Sequence, residues 1–256
     1  MSRGVFEQVA LPSCRLGFVN PLDVIDTFAY EFYRLAPANT IASMTSVGLQ
    51  GFSGDAALDA VNRNLTRCLR KLAQREVSLI MLGGLPMLFN LGQDYLRAYS
   101  QRCQDEFGIT GVTSIDAVLA AFETLAVRDI VVVDKWDAEL NTKVAATLAE
   151  AGVNLVGSVT EEFPASEIKK SYEEGAQVAL RLAERARERY PDADCLFIAG
   201  GAWLVAPFIT QIEERYGFSV VAGQQSKIWY ALNRVGNHVD RPEYGRLMAT
   251  AARSVN

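Results

Sequence analysis

Several features that would point to common classes of protein are missing from this sequence. No apolar run reaches the roughly 18 residues that a membrane-spanning helix needs, and the N-terminal segment lacks the long apolar middle of a signal peptide. Lys and Arg are scattered, and the formal net charge is −5, which argues against nucleic acid as a partner. We therefore expect a soluble, cytoplasmic protein with neither a membrane nor a nucleic-acid partner.

Residues that bind transition metals are also scarce. The four cysteines, Cys14, Cys68, Cys103 and Cys195, form no CxxC pair, and His238 is the single histidine. A structural zinc site needs about four such ligands close together. We expect no bound metal, and we expect four free thiols, as is usual in the cytoplasm.

The sequence does contain a regular alternation of apolar runs and amphipathic segments. Asp129–Val133 (DIVVV) is typical of a buried parallel strand, and Leu58, Val61 and Leu65 recur at helical spacing. The links are short, and the chain has no low-complexity stretch. The pattern predicts an α/β fold built on parallel sheets.

Two of the predicted strands end in a pair of glycines. Leu79–Leu85 reads LIMLGGL, and Cys195–Trp203 reads CLFIAGGAW. Ligands of open α/β sheets bind at the carboxyl ends of the strands, and exposed backbone amides at a helix start attract anions. These turns are candidate anion sites; the alternative is that the glycines serve only tight turns and close helix packing.

The two glycine pairs belong to a longer internal repeat. LIMLGGLP followed by EFGITGVTS parallels LFIAGGAW followed by RYGFSVVAG, and each half also has an earlier strand with a polar end, FVNP or VVDKW. We predict two pseudo-symmetric halves, each a mostly parallel sheet flanked by helices, with the site between them. The predicted half-domains are 1–115 plus 222–256, and 116–221. Any two βαβ units look partly alike, so the repeat alone does not establish that the two halves are equivalent.

An ordered set of segments resembles the aspartate/glutamate racemase superfamily, in particular its arylmalonate decarboxylase and maleate cis-trans isomerase branch. The segments are VSLIMLGGLPMLFNLG (Val77–Gly92), FGITGVTSIDAVLAAFETLAVRDIVVV (Phe107–Val133), Asp194–Trp203 and RPEYGRLM (Arg241–Met248). The resemblance implies a cofactor-independent, two-halved α/β enzyme that acts on a small carboxylate. It also suggests a homo-oligomer by analogy.

This chain differs from the family at the positions that carry the family's catalytic residues. The resemblance places a catalytic cysteine before the second glycine pair, where this chain has Ala199, and an earlier one in the first glycine turn, among Leu82, Gly83 and Gly84. Hydroxyl residues that follow that turn in the decarboxylase branch correspond to Leu85 and Pro86, and a tyrosine to Trp136. None of the four cysteines is expected at the carboxyl ends of the strands.

The predicted binding residues are those of the turns. They are Asn20, Gly83, Gly84, Leu85, Trp136, Ala199, Gly200, Gly201 and Ala202. Preorganised amide donors of this kind stabilise carboxylates and enolate-like oxyanions. Asn20 has the alternative of being only a turn residue before Pro21.

Asp134 and Lys135 are the predicted catalytic acid/base residues, because they follow the clearest strand. A lysine desolvated in an apolar pocket acquires a lowered pKa and exchanges protons near neutral pH; a solvated lysine is the alternative. Further polar candidates occupy helix starts or a loop, with capping or surface exposure as alternatives: Thr113, Ser114, Gln224, Gln225, Ser226 and His238.

Two functions remain open on the sequence. One is an enzyme that isomerises, decarboxylates, hydrates or exchanges a proton next to a carboxylate through a non-cysteine acid/base. The other is a carboxylate-binding or regulatory relative that kept the fold and lost catalysis. An enzyme needs Asp134 or Lys135 to point into the cleft, whereas a binder does not.

Overall fold

A computed structural model describes residues 12–24, 26–49, 54–134, 136–161, 174–199 and 203–251. Its strands are β1 (Cys14–Asn20), β2 (Thr40–Ser46), β3 (Leu79–Leu82), β4 (Thr110–Thr113), β5 (Asp129–Asp134), β6 (Asn154–Thr160), β7 (Cys195–Ile198) and β8 (Ser219–Ala222). Its helices are α1 (Asp26–Leu35), α2 (Gly54–Ala73), α3 (Leu85–Leu91), α4 (Gln93–Phe107), α5 (Ser114–Leu125), α6 (Ala138–Glu150), α7 (Gly175–Arg189), α8 (Ile209–Tyr216) and α9 (Gly223–Arg234). Short 3-10 turns span Ala206–Phe208 and Pro242–Tyr244.

The described strands form two four-stranded sheets with the same internal order. The first is ordered β2-β1-β3-β4 and the second β6-β5-β7-β8, and every pairing is parallel. β3 and β7, which carry the glycine pairs, occupy equivalent places. The two-halved parallel α/β fold predicted from the repeat is confirmed.

The core is continuous between the two sheets. One cluster of buried side chains joins β1, β3 and α5 to residues of β5 and β7, such as Ile130 and Phe197. Phe122 of α5 stacks edge-on against Phe197 of β7, with 5.5 Å between ring centroids. A second cluster lies on the opposite face of the second sheet, beneath α7 and α8.

Helix α9 crosses from one half to the other. It follows β8 of the second sheet directly, yet it packs against α1, α5 and β3 as well as β8. Its inner face is almost fully buried, including Ile228, Trp229 and Leu232. The half-domain boundaries 1–115 plus 222–256, and 116–221, remain a prediction.

Several element boundaries differ from the sequence expectation for local reasons. The helix expected from Pro86 to about Phe107 is divided into α3 and α4 at Gly92, whose φ is 78°. The helix expected from Trp203 begins as a 3-10 turn at Ala206, where Pro207 removes a backbone donor. The N-terminal part of the helix expected over Glu167–Arg189 lies outside the described residues.

Candidate functional site

The turn after β3 begins with Gly83, which is buried at the carboxyl end of the strand. The N–H of Gly83 donates to the Val19 carbonyl at 2.8 Å, which fixes the turn against β1. A Cβ built on Gly83 would lie 3.8 Å from Lys227 Nζ and 3.9 Å from Asn20 Oδ1. Two polar side chains therefore converge on the space that the missing Gly83 side chain leaves free.

Gly84 is required by its backbone conformation. Its φ is 98°, and a Cβ there would lie 2.8 Å from Pro21 Cγ. Positive φ at this angle is costly for any residue with a side chain. Gly84 then leads into α3 with Leu85 as its first residue and Pro86 as its second, a placement that suits proline.

Asn20 is buried at the end of β1, with 5 % of its surface exposed. Its carbonyl accepts a hydrogen bond from Val47 N at 3.0 Å, so the backbone is fixed. The side-chain Nδ2 donates only a long bond, 3.5 Å, to the Thr45 carbonyl. The structure thus brings the predicted residues Asn20 and Gly83 together.

Lys227 was not among the residues predicted from the sequence. The candidates at the last helix start were Gln224, Gln225 and Ser226, one residue short of it. Its Nζ lies 4.4 Å from the centroid of the Phe28 ring, and burial lowers the pKa of its amine to about 8, against the opposing charge of Glu31. The sequence signal that could have identified it was a lysine placed directly before the apolar run Ile228–Leu232.

The second half of the molecule contributes the carboxyl end of β7 to the candidate site. A Cβ built on Gly223 would lie 3.3 Å from Leu85 Cδ1 and 3.7 Å from the carbonyl oxygens of both Ile198 and Ala199. Leu85 and Ala199, predicted from opposite halves, therefore meet at the start of α9. The predicted residues Gly200, Gly201 and Ala202 lie outside the described part of the chain.

Asp134 is fully buried at the end of β5. Its Oδ1 accepts a hydrogen bond from Trp136 N at 2.8 Å, while Oδ2 has no hydrogen-bond partner among the described residues. Burial raises the pKa of Asp134 to about 6, opposed by the Trp136 N–H and the Asn141 side chain. Lys135, its predicted companion, lies outside the described residues.

Trp136 packs between the halves. Its ring stands edge-on to Phe89 of α3, with 6.1 Å between centroids. The half-buried indole of Trp136 and the buried phenyl ring of Phe89 make this contact between the two halves apolar. Neither Trp136 nor Asp134 is shown in contact with the Gly83 turn.

Glu31 of α1 is a second functional candidate that the sequence reasoning missed. It is buried, and its Oε1 accepts a hydrogen bond from Ala206 N at 3.0 Å. Burial raises the pKa of Glu31 to about 7, opposed by the Ala206 and Val205 amides and by the positive charge of Lys227. The carboxylate thereby joins the first half to the segment that follows β7.

The four cysteines lie at the starts of two strands and on two helices. Cys14 and Cys195 begin β1 and β7, at the end of each strand away from the glycine turns. Cys68 of α2 donates to the carbonyl of Ser46, the last residue of β2, at 3.0 Å, so this thiol does lie at the carboxyl end of a strand, contrary to the expectation from the sequence. Burial raises the pKa of Cys103 to about 11, which disfavours the thiolate that a nucleophile requires.

The remaining polar candidates make structural contacts. Thr113 caps α5 through a reciprocal capping box with Asp116, so the cap is Thr113 and not Ser114, which was expected to cap this helix. Gln225 Nε2 donates to the Tyr244 carbonyl at 2.6 Å, and His238 Nε2 lies 3.2 Å from Asp240 Oδ1.

Within the described ranges, no group of three or more His, Cys, Asp or Glu residues is placed to hold a metal ion. No helix of that part of the chain is long and apolar enough to cross a membrane.

Comparison with known proteins identifies a family to which this sequence is related. The sequence model of the arylmalonate decarboxylase family matches residues 37–248. The arylmalonate decarboxylase of Bordetella bronchiseptica is 26% identical over 190 residues, which is 74% of this chain and 78% of the relative. The matched range includes the Gly83 turn and Lys227 and begins after Asn20 and Glu31.

Solved structures show the same fold at lower identity. A double variant of arylmalonate decarboxylase in a liganded form has a TM-score of 0.82 and 23% identity, covering 92% of this chain and 98% of that chain. The maleate isomerase of Pseudomonas putida S16, as a cysteine-to-alanine variant with maleate, has a TM-score of 0.80 and 17% identity, covering 93% and 98%. Both halves are therefore arranged as in these enzymes.

Proposed function

The chain belongs to the arylmalonate decarboxylase family, within the branch of the aspartate/glutamate racemase superfamily that includes the maleate isomerases, and from this premise we propose that it is a cofactor-independent enzyme. Its substrate is a small carboxylic acid, and its reaction makes or breaks a bond at the carbon next to the carboxylate. In isomerisation, decarboxylation, hydration and proton exchange, charge develops at that carbon during the reaction.

One observation carries the proposal: the convergence of Asn20 Oδ1 and Lys227 Nζ beside Gly83. A cationic amine in partly desolvated surroundings attracts an anion more strongly than it would in water. A carboxylate at the Gly83 turn would accept a hydrogen bond from the Lys227 ammonium, and from Asn20 once its amide is turned so that Nδ2, in place of Oδ1, faces the turn. The amides of Gly84–Leu85 and those of Gly200–Ala202 are further proposed donors.

Proton transfer in this proposal uses a group other than cysteine. The residue before the second glycine pair is Ala199, and Cys14 and Cys195 begin β1 and β7, at the end of each strand away from the glycine turns. Asp134 and Lys135 are the acid/base candidates that the sequence supplies. The burial of the Asp134 carboxylate and its raised pKa support this role for Asp134.

Nuclear magnetic resonance in D₂O tests the function. The protein is incubated with malonates, maleate, enoates, hydroxy acids and amino acids, and the spectra are followed for new signals or loss of a proton next to a carboxylate. We expect one class of acid to react. If no acid changes but some raise the melting temperature, the protein is a carboxylate binder, since a ligand that binds only the folded state stabilises it.

A further inference from the structure

Lys227 is held over the glycine turn by packing rather than by a direct ion pair. Its Nζ lies over the ring of Phe28, a residue of α1, and close to Gly83. No described residue forms an ion pair with it, whereas Lys143 of α6 pairs with Glu139. The amine of Lys227 is therefore directed at the space where the proposed substrate binds.

Glu31 is the charged group that faces Lys227 from α1. Asn20 from β1, Gly83 from the β3 turn and the Phe28 ring complete its described polar and aromatic surroundings, and none of these titrates. Glu31 is itself fixed by the Ala206 amide. Burial brings the pKa of Glu31 up to about 7 and that of Lys227 down to about 8, so both groups exchange protons near neutral pH.

A structural role alone explains this arrangement poorly. A partly buried charge that forms no direct ion pair among the described residues costs stability, and a leucine or methionine at position 227 would pack against Phe28 without that cost. Asp134, by comparison, has one carboxylate oxygen bound to the Trp136 amide, whereas Lys227 Nζ is among the atoms nearest to a Cβ built on Gly83. The geometry at the turn therefore favours Lys227 over Asp134 as the group nearest the reacting carbon.

We propose that Lys227 is the catalytic acid/base of this protein and that Glu31 is the residue that positions it. This inference rests on the proposed function and names its proton-transfer group. In proton exchange, the neutral amine takes the proton from the carbon while the C–H electron pair moves into the enediolate, and the resulting ammonium returns a proton. In decarboxylation, the C–C electron pair remains in the enediolate as CO₂ leaves, and the ammonium then protonates the carbon.

Three variants test the proposal on the full chain. Lys227→Met removes the amine but keeps the apolar stem. Lys227→Arg keeps a positive charge, but the arginine guanidinium does not lose its proton in proteins and so does not act as a base. Lys71→Met is the matched control, because Lys71 is an exposed lysine on α2. Each is compared with wild type for deuterium exchange or turnover of the most reactive acid, for malonate binding by calorimetry and for circular dichroism.

We expect Lys227→Met to lose about 100-fold or more of the rate, the usual size of a general acid/base contribution, while it stays folded. Lys227→Arg should still bind malonate and lose the rate to a similar extent. Lys71→Met should match wild type. Methylamine added to a further variant, Lys227→Ala, should restore part of the rate if the amine is the proton carrier, because the alanine leaves room for it.

Glu31→Gln tests the positioning role through the pH–rate profile. The negative charge of Glu31 raises the pKa of Lys227, so its neutral replacement should shift the rising limb of the profile to lower pH. A purely structural contribution would lower the rate at every pH without moving the midpoint.

The outcomes separate this inference from the proposed function. Exchange by wild type that survives in Lys227→Met overturns the role of Lys227 and leaves the function standing. Loss of binding with an unchanged rate at saturation makes Lys227 a counter-ion only and also overturns it. A Schiff base between Lys227 and a 2-oxo acid, trapped as a stable amine by borohydride reduction, would overturn the proton-transfer role in favour of covalent catalysis. Absence of any reaction by wild type overturns both proposals.

Discussion

At the scale of single residues, the two adjacent glycines of the β3 turn have different physical roles. Gly84 is needed for its backbone, since its φ is 98° and a Cβ would press on Pro21. A Cβ on Gly83 would make only ordinary contacts, the nearest at 3.4 Å from the Val19 carbonyl. Gly83 therefore keeps space free in front of Asn20 and Lys227 rather than relieving strain.

Alanine substitutions should separate these roles. Gly84→Ala should destabilise the fold by about 1–3 kcal/mol, the usual cost of a strained backbone position. Gly83→Ala should leave the melting temperature nearly unchanged and weaken carboxylate binding or turnover, because its methyl group fills the proposed site. Thermal denaturation and calorimetric titration with malonate measure both. Equal loss of stability in the two variants would contradict this distinction.

Asp134 gives a prediction about pH. Burial raises the pKa of this carboxyl from 3.8 to about 6, so the folded state binds the proton more tightly than the unfolded chain. Its contribution to stability is then greatest below about pH 4 and falls as the pH rises to about 6. Above that pH, the charged and desolvated carboxylate destabilises the fold by about 3 kcal/mol, since one pKa unit corresponds to about 1.4 kcal/mol.

Asp134→Asn should remove this dependence. The difference in unfolding free energy between pH 4 and pH 7 should become smaller than in wild type by that amount, as measured by urea denaturation at each pH. Asp94→Asn, at an exposed position on α4, should retain the wild-type dependence. A parallel pH response in Asp134→Asn and wild type would rule out the assigned role of the carboxyl.

At the scale of secondary-structure elements, α5 is held at its start by a residue that belongs to a strand. The Thr113 hydroxyl accepts a hydrogen bond from Asp116 N at 3.2 Å, and Asp116 Oδ2 accepts one from Thr113 N at 2.7 Å. Such a capping box satisfies two amides that the helix itself leaves free. It also fixes the end of β4, beside the glycine turn of β3.

Thr113→Ala should cost about 1 kcal/mol of stability, as loss of an N-cap usually does. Ser114→Ala is the control, because the Ser114 hydroxyl is buried without a hydrogen-bond partner among the described residues. That variant should be neutral or slightly stabilising. Chemical denaturation measures both, and a larger loss in Ser114→Ala would show that the cap has been assigned to the wrong residue.

At the scale of the whole molecule, the two halves share one core and should unfold together. Phe197 is fully buried in the second sheet and stacks on Phe122 of α5, and Glu31 of the first half binds the Ala206 amide of the second. A core that passes from one sheet to the other couples their stabilities. Separate unfolding would require most of this buried surface to be exposed first.

Phe197→Ala should therefore lower the stability of both halves at once. We expect a loss of about 3–5 kcal/mol, typical of a large-to-small core change, with a single transition in differential scanning calorimetry. The calorimetric and van't Hoff enthalpies should agree. Two resolved transitions, of which only one shifts in Phe197→Ala, would show that the halves are independent.

The sequence by itself determined the parallel α/β class, the two equivalent halves and the positions of the glycine turns. These features depend on hydrophobic periodicity and on local backbone requirements, both of which are written in neighbouring residues. The family relationship also followed from ordered local segments. The turn residues Asn20, Gly83, Leu85 and Ala199 were identifiable for the same reason.

Only the tertiary structure decided which side chains face those turns. Lys227 and Glu31 belong to helices distant in sequence from Gly83, and they meet it because α9 leaves the second sheet and packs against α1, α5 and β3. No local pattern encodes that crossing, since it minimises exposed apolar surface over the whole chain. The pKa values of the two groups likewise depend on desolvation, which exists only once the core has closed around them.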